Sequence, residues 1–342
     1  MKMNKAVEVT RGPLIESTHM AHIAVVNSQG ELLYSYGDPE RITYARSSVK
    51  PIQALQVLET KATQRYDINE REISFMCASH SGETYHVECV KEILGKADIG
   101  LDKLNCGIHV PGNSDVYKEL IESNVELSQS HNNCSGKHSG MLISAKNMGE
   151  DLDTYLDINH PVQQRILDNI SYVCDYDKEK IMLGIDGCGA PVHALPLERF
   201  AYGFARMADS VKLEEKGVFV DKITSSMMKY PEMVAGRNRF CTDLMRVCGD
   251  RIFGKAGAQG VYLIGDKKNK LGIAVKVEDG NGQATNCVAM EVLRQLGSIT
   301  EEELKELNNF YNPKLLNARK DVIGEVRSSF KLNKLAYENN RQ

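Results

Sequence analysis

The chain has 342 residues, 42% of them hydrophobic and 26% charged, with a formal net charge of −4 at pH 7. This composition is ordinary for a globular protein with one large or two medium domains. The weak negative charge gives no field that favours nucleic acid or an anionic membrane, and the absence of Trp and the 6% aromatic content argue against a platform that stacks on sugars or single-stranded nucleic acid.

The chain shows no targeting or membrane-spanning pattern. Residues 1–8 carry charge without an apolar core behind them, and no run of about eighteen apolar residues follows. We therefore expect no signal peptide and no transmembrane helix. The nine scattered cysteines lack the spacing of a disulfide framework, so we expect a reducing, cytoplasmic location.

A β-hairpin is predicted near the N-terminus. Residues 6–37 alternate between apolar and polar, and the turn 27–30 separates the apolar runs 22–26 and 32–36. Behind this hairpin, apolar residues between 52 and 58 recur at helical spacing, with Pro51 in the first turn. A helix is therefore predicted to begin at or just after Ser47.

Ser47 and Lys50 lie one turn apart at the mouth of this helix. A desolvated lysine can take the proton of a serine hydroxyl, so the pair could form a Ser-x-x-Lys nucleophile. The alternative is an N-capping Ser47 beside a solvated Lys50.

A second polar stretch, residues 79–83, follows the apolar run 73–78 and precedes a helix predicted over 84–94. Side chains and backbone N–H groups at such a helix N-terminus are often found in active sites. Ser79, His80 and Glu83 are the polar candidates there. A capping box that includes Glu83 is the alternative.

A third stretch, residues 131–142, places Cys134, Lys137 and His138 on one face if it is helical, where they could hold a metal or line a pocket. Its Gly-Lys pair lacks the other residues of a phosphate-binding loop, which argues against nucleotide binding. Farther on, a strand over 181–185 precedes Asp186 and the glycine-flanked Cys188. Cys188 could be a nucleophile, a metal ligand or a buried thiol, and Asp186 could hold an amine or form an Asx turn.

The remaining chain mixes helices with a second hairpin. Lys255 lies among glycines and alanines with little room to reach water, so it could serve as a base. The order of elements predicts an α/β or α+β fold in which strands from both ends share a sheet. The other predicted elements are helices near 115–122, over 161–173, largely over 200–229, from the turn at 231–237 to an end near 248, and over 284–296, strands over 261–264 and 271–277, and a fraying end at 338–342.

Taken together, these motifs resemble the class 3, or rhizobial-type, L-asparaginases of the asparaginase II family. The resemblance implies a fold similar to serine β-lactamases and glutaminases, a single catalytic unit over 1–342 with a sheet part from both chain ends and a helical middle, and a homodimer. The matching stretches are residues 46–51, 78–83, 133–138, 186–191 and 254–257.

The resemblance also implies the reaction and the site. L-Asparagine would be hydrolysed through a serine acyl-enzyme by two Ser–Lys tandems, with Ser47 favoured as nucleophile although the roles could be exchanged. Zinc would lie beside the catalytic centre, with Lys137 as third ligand; from the residues alone, His138 is the natural choice. The implied sets are Ser47 with Lys50 and Ser79 with Lys255 for catalysis, Cys134, Lys137 and Cys188 for zinc, and Arg46, His80, Glu83, His138 and Asp186 for the substrate.

Two other readings stay open. A β-lactamase or penicillin-binding type enzyme also uses Ser-x-x-Lys, but the chain lacks the Lys-Thr-Gly strand motif of those enzymes. Glutaminase activity is a related alternative. A non-catalytic zinc- or amino-acid-binding module could use the same pocket, and a turnover assay separates it from an enzyme.

Overall fold

The computed structural model describes residues 4–335, which divide into two compact units. The sheet unit takes its described residues from 4–48, 195–209 and 254–335, and the helical unit comprises 49–194 and 210–253. The predicted fraying at 338–342 lies outside the described residues. Within 4–335, no helix combines the length and the apolar character needed to cross a bilayer.

The sheet unit is built on an antiparallel sheet in which the order of the strands differs from their order in the sequence. Its path runs β10-β11-β1-β2-β9-β8-β7, and β3 branches off β2 and pairs with β12. The strands of the described chain, including the β5–β6 hairpin of the helical unit, are β1 (Lys5–Arg11), β2 (Leu14–Asn27), β3 (Leu32–Tyr36), β4 (Ile42–Tyr44), β5 (Met182–Ile185), β6 (Pro191–Pro196), β7 (Ile252–Gly257), β8 (Val261–Asp266), β9 (Leu271–Val277), β10 (Lys314–Leu316), β11 (Val322–Ser328) and β12 (Asn333–Lys334).

The strand register confirms both predicted hairpins. Ile23 pairs with Tyr36 across β2 and β3, and Leu263 pairs with Ala274 across β8 and β9. The two ends of the chain also share the sheet as predicted, because Val7 on β1 pairs with Ser328 on β11. The mixed α/β fold class is therefore confirmed.

The helices of the described chain fall in both units. The sheet unit holds α9 and α13–α15, and the helical unit holds the others. Their bounds are α1 (Lys50–Gln53), α2 (Leu55–Glu59), α3 (Ala62–Arg65), α4 (Glu70–Met76), α5 (Thr84–Lys96), α6 (Ser114–Glu122), α7 (Ser135–Met148), α8 (Pro161–Cys174), α9 (Leu197–Ala208), α10 (Gly217–Lys229), α11 (Pro231–Ala235), α12 (Phe240–Cys248), α13 (Gly282–Gln295), α14 (Glu301–Glu306) and α15 (Asn308–Tyr311).

Helix α9 packs on the sheet at a glycine. A Cβ built on Gly272 of β9 would lie 1.8 Å from the carbonyl oxygen of Ala201 on α9, so no larger residue fits at this contact. The side chains of β8 and β9 are buried along their whole length, as expected for strands covered on both faces. This part of the sheet is the core of the sheet unit.

Helix α7 is the centre of the helical unit. It contacts α2, α3, α4, α5 and α8, and its residues from Ser135 to Ala145 are all buried. Its polar first turn is therefore enclosed by protein, and this is the turn that carries Lys137 and His138.

Several segments differ from the sequence-based expectation in detail. Most of the apolar run 73–78 belongs to helix α4, which ends at Met76. The N-terminus of this helix is fixed by a capping box between Asn69 and Glu72. The helix predicted from Ser47 is a 3₁₀ turn, Arg46–Val49, followed by the short helices α1 and α2. Lys255 lies on strand β7, which the small residues around it had concealed because glycine and alanine carry little strand signal.

Candidate active site

The Lys50 side chain ends in a cluster of acceptors inside the helical unit. Lys50 is 1% exposed. Its Nζ donates to the Ala78 carbonyl oxygen at 2.5 Å, to Ser79 Oγ at 3.2 Å, to Cys134 Sγ at 3.1 Å and to the Asn133 carbonyl oxygen at 3.5 Å. The alternative of a solvated Lys50 is therefore wrong.

Ser79 is held in the loop between α4 and α5. Its backbone N–H donates to the Val234 carbonyl oxygen at 2.8 Å, and the next N–H, of His80, donates to the Asn133 carbonyl oxygen at 3.3 Å. These bonds fix the loop on two sides and bring the Ser79 hydroxyl to Lys50. The geometry thus pairs a serine and a lysine that are far apart in sequence.

Ser47 and Lys255 belong to the sheet unit. The turn that carries Ser47 packs on strand β7, where a Cβ on Gly257 would lie 2.5 Å from the Ala45 carbonyl oxygen. Lys255, two residues before Gly257, is 1% exposed, and its Nζ donates to the Ala256 carbonyl oxygen at 2.7 Å. The expectation that Lys255 has little room to reach water is confirmed, while its role as a base stays a prediction.

The three residues predicted to hold zinc lie close together. Lys137 Nζ and Cys188 Sγ are 3.3 Å apart, and the Cys134 and Cys188 thiols form a hydrogen bond. That bond, with the charges of Lys50 and Lys137, holds the pKa of the Cys134 thiol well below its ordinary value. The bond to Cys134 and burial raise the pKa of the Cys188 thiol. Burial disfavours the charged form of Lys137, but Cys188, Cys134 and Asp186 favour it more strongly, so the pKa of Lys137 is raised. Among residues 4–335 no group of three His, Cys, Asp or Glu side chains is placed to hold a metal ion, and the zinc site with Lys137 as a ligand stays a prediction.

His138 follows Lys137 on α7 and is completely buried. Its Nδ1 lies 2.7 Å from the Tyr155 hydroxyl, and that hydroxyl accepts the backbone N–H of Asn105 at 3.0 Å. Burial, with the charges of Lys137 and Lys50, lowers the pKa of His138 well below its ordinary value.

His80 and Glu83 both have partners inside the helical unit. His80 Nδ1 accepts the Gly82 N–H at 3.1 Å, and its Nε2 lies 2.8 Å from Ser135 Oγ. Glu83 accepts the Arg237 backbone N–H at 3.0 Å and the Tyr85 hydroxyl at 3.1 Å. Both residues are arranged to shape the loop, and their assignment to substrate binding stays a prediction.

Arg46 and Asp186, the other predicted substrate contacts, lie in turns. Arg46 opens the 3₁₀ turn with a φ of 52°. Asp186 closes the β5–β6 hairpin, where its N–H donates to the Ala190 carbonyl oxygen at 2.9 Å and its carboxylate accepts the Gly187 N–H at 2.8 Å. These bonds form a local turn at Asp186, while the Asx turn, which needs a bond to the N–H two residues on, and the binding of an amine both stay predictions.

Sequence reasoning missed Tyr155 and the backbone acceptors of Lys50. Tyr155 lies in a polar, irregular stretch after α7, where no periodicity marks a buried residue. The carbonyl groups of Ala78 and Asn133 carry no signal of residue type at all. Only their position next to the motif residues Ser79 and Cys134 could have indicated that Ala78 and Asn133 belong to the site.

Comparisons with known proteins give a family and distant structural similarities. A family model described as L-asparaginase II matches residues 7–328. No curated protein matches the chain.

Among solved structures, a β-lactamase from Mycobacterium bovis is 14% identical, with a TM-score of 0.44, over 80% of this chain and 94% of that one. The structure titled Mglu is 12% identical, with a TM-score of 0.44, over 81% of this chain and 67% of that one. A D-alanine carboxypeptidase AmpC from Burkholderia cenocepacia is 12% identical, with a TM-score of 0.38, over 82% of this chain and 93% of that one.

Proposed function

This chain belongs to the L-asparaginase II family, and from that premise we propose that it hydrolyses L-asparagine to L-aspartate and ammonia through a serine acyl-enzyme. The observation that supports this proposal, in addition to family membership, is the hydrogen bond from Lys50 Nζ to Ser79 Oγ. It joins the two sequence motifs that each offered a catalytic group, with the Lys50 side chain buried and the Ser79 side chain partly exposed.

In the proposed reaction, a neutral lysine takes the proton of a serine hydroxyl while the serine oxygen attacks the side-chain amide carbon. The tetrahedral intermediate collapses to an ester, and the nitrogen leaves as ammonia after it gains a proton. Water then attacks the ester and releases aspartate. Backbone N–H groups near Ser47 are the proposed donors to the oxyanion.

We assign the nucleophile to Ser47 and its base to Lys50, three residues farther along the chain. The bond between Lys50 and Ser79 supports a relay in which the Ser79 hydroxyl passes the proton on to the leaving nitrogen. Lys255 would assist Ser79. In the exchanged assignment, Ser79 is the nucleophile with Lys255 as its base, and Ser47 and Lys50 assist; mutation of the two serines distinguishes the assignments.

For the substrate, we propose that Arg46 and His138 bind the α-carboxylate and that Asp186 binds the α-ammonium group. These charges and donors match those of a free amino acid. His80 and Glu83 complete the predicted set, but the bonds they already make inside the protein favour a supporting role.

The deciding experiment measures ammonia release from L-asparagine and, in parallel, L-glutamine. We expect the wild type to release ammonia from asparagine, Ser47→Ala to abolish turnover, and Ser79→Ala to lower kcat. If Ser79→Ala abolishes turnover while Ser47→Ala retains it, the exchanged assignment is correct. Ammonia from neither substrate would contradict the proposal and favour another serine hydrolase or a binding module.

We propose zinc as a bound metal because the donor set fits it. Two buried thiols, one with a lowered pKa, are soft ligands that Zn²⁺ prefers, and Lys137 Nζ, 3.3 Å from Cys188 Sγ, would join them after the metal ion displaces its proton. Cys134, Lys137 and Cys188 would hold the ion. Zinc would supply a cross-link between the start of α7 and the β5–β6 turn.

Metal analysis tests this site. We expect wild-type protein purified without chelator to contain about one zinc per chain, and Cys188→Ser to contain far less. Cys287→Ser is the control, because Cys287 is a buried thiol on α13 in the sheet unit. Equal zinc contents in wild type and Cys188→Ser would contradict the site.

A further inference from the structure

A buried chain of hydrogen bonds ends on His138. The backbone N–H of Asn105 donates to the Tyr155 hydroxyl at 3.0 Å, and this hydroxyl lies 2.7 Å from Nδ1 of His138. The side chain of Tyr155 has no exposed surface, and neither has that of His138. The carbonyl oxygen of Tyr155 is itself held by Gln163 Nε2 at 2.8 Å, which fixes the backbone under the ring.

The direction of the protons along this chain follows from its first donor. A backbone N–H can only donate, so the Tyr155 oxygen is the acceptor of the Asn105 bond. Among residues 4–335 the hydroxyl has no other acceptor, so its proton points to Nδ1 of His138. An imidazole whose Nδ1 accepts this proton is neutral and carries its own ring proton on Nε2.

That Nε2–H group has no protein partner. Nε2 of His138 is buried and makes no hydrogen bond to any residue from 4 to 335. Buried donors are rarely left unpaired, because the lost hydration is not recovered. Lys137 and Lys50 both lie near enough to act on His138 electrostatically. An unpaired donor near two lysines is suited to an anionic oxygen.

We propose that Tyr155 is a positioning residue that holds His138 in the Nε2–H tautomer, so that His138 donates a hydrogen bond to a carboxylate oxygen of the bound amino acid. The second half rests on the proposed function. The same tautomer leaves no lone pair on Nε2 for a metal ion, in line with the proposal of Lys137 rather than His138 as a zinc ligand.

The tautomer is measured directly by nuclear magnetic resonance on ¹⁵N-labelled wild-type protein without substrate. We expect a protonated, pyrrole-type shift for Nε2 of His138 and an unprotonated, pyridine-type shift for Nδ1. The His138→Gln variant assigns the signals by their loss. The reverse pattern, or a mixture of tautomers, would overturn the role of Tyr155 whether or not the protein is an asparaginase.

The substrate half is tested by removing the tyrosine hydroxyl. Tyr155→Phe should raise KM for L-asparagine about tenfold with a smaller change in kcat, and should mix the two tautomers of His138. Tyr172→Phe is the matched control, because its hydroxyl bonds to the Leu213 carbonyl oxygen at 3.3 Å and should leave both readouts unchanged. An unaltered KM and spectrum in folded Tyr155→Phe would contradict the proposal.

Two substitutions at His138 separate the ring nitrogens. A glutamine amide nitrogen can occupy the place of Nε2, and an asparagine amide group that of Nδ1. We expect His138→Gln to keep a KM nearer to the wild-type value than His138→Asn, and the reverse order would overturn the donor role. No ammonia from the wild type, with the expected tautomer, would instead count against the proposed function alone.

Discussion

At the residue scale, Lys50 illustrates how burial decides between two readings of one motif. The same four residues, Ser47 to Lys50, fit a helix cap with a solvated lysine or a catalytic pair. The structure buries Lys50 and gives its Nζ four hydrogen-bond acceptors, among them Ser79 Oγ. Such a set of acceptors compensates the cost of removing this polar group from water. The side chain therefore has one fixed position.

We expect Lys50→Met to lower kcat for asparagine about 100-fold or more, because methionine keeps the volume but cannot accept a proton. Lys118→Met, at an exposed position on α6, should leave kcat unchanged. Steady-state kinetics on both variants provides the measurement. A kcat for Lys50→Met within a factor of about two of wild type would exclude Lys50 as the base.

At the element scale, α7 positions the site because its first turn lies against α4. A Cβ on Gly136 would lie 2.2 Å from the Phe75 carbonyl oxygen, so the two helices approach at backbone distance. This approach places Lys137 and His138 in the interior beside Cys134. The sequence offered Gly136 only as part of a Gly-Lys pair that resembles a phosphate-binding loop.

Gly136→Ala should lower the free energy of unfolding by about 2 kcal/mol or more, because the methyl group must push a backbone carbonyl aside. Gly95→Ala is the matched control on α5, where a Cβ meets nothing within 4 Å. That substitution should raise the free energy of unfolding by about 0.5 kcal/mol. Urea denaturation measures both, and equal effects of the two would mean that α7 can shift freely.

At the scale of the whole molecule, stability should fall in acid. Glu278 accepts a hydrogen bond from Arg41 Nη2 at 3.1 Å and lies 2.9 Å from His22 Nε2. The bonds from Arg41 lower the pKa of Glu278 below its ordinary value of 4.5. Because the folded-state pKa is the lower one, this contribution is complete above pH 4.5 and is lost as the pH falls through the folded-state value.

We therefore expect Glu278→Gln to be less stable than wild type at neutral pH, with a difference that shrinks below about pH 4.5. Glu126→Gln, at an exposed loop position after α6, is the control and should match wild type at every pH. Urea midpoints across the pH range give the measurement. A constant difference between wild type and Glu278→Gln would show that ionisation of this carboxyl does not contribute.

The homodimer and the cytoplasmic location stay predictions at this scale. Light scattering should give twice the chain mass of 38.1 kDa. We expect this mass to persist on dilution to the concentrations used for activity assays. A mass of one chain would contradict the dimer without affecting the proposed reaction.

The sequence by itself determined the family motifs, the mixed fold class, both hairpins and most helices, because periodicity, turn residues and local motifs are properties of neighbouring residues. Only the tertiary structure decided that Lys50 bonds to Ser79, that Lys255 lies on a strand, and that Tyr155 bonds to His138. These contacts join segments distant in the chain, and several use backbone carbonyl groups that every residue possesses. No local pattern encodes such a contact, since the burial that gives it strength arises only when the helices pack.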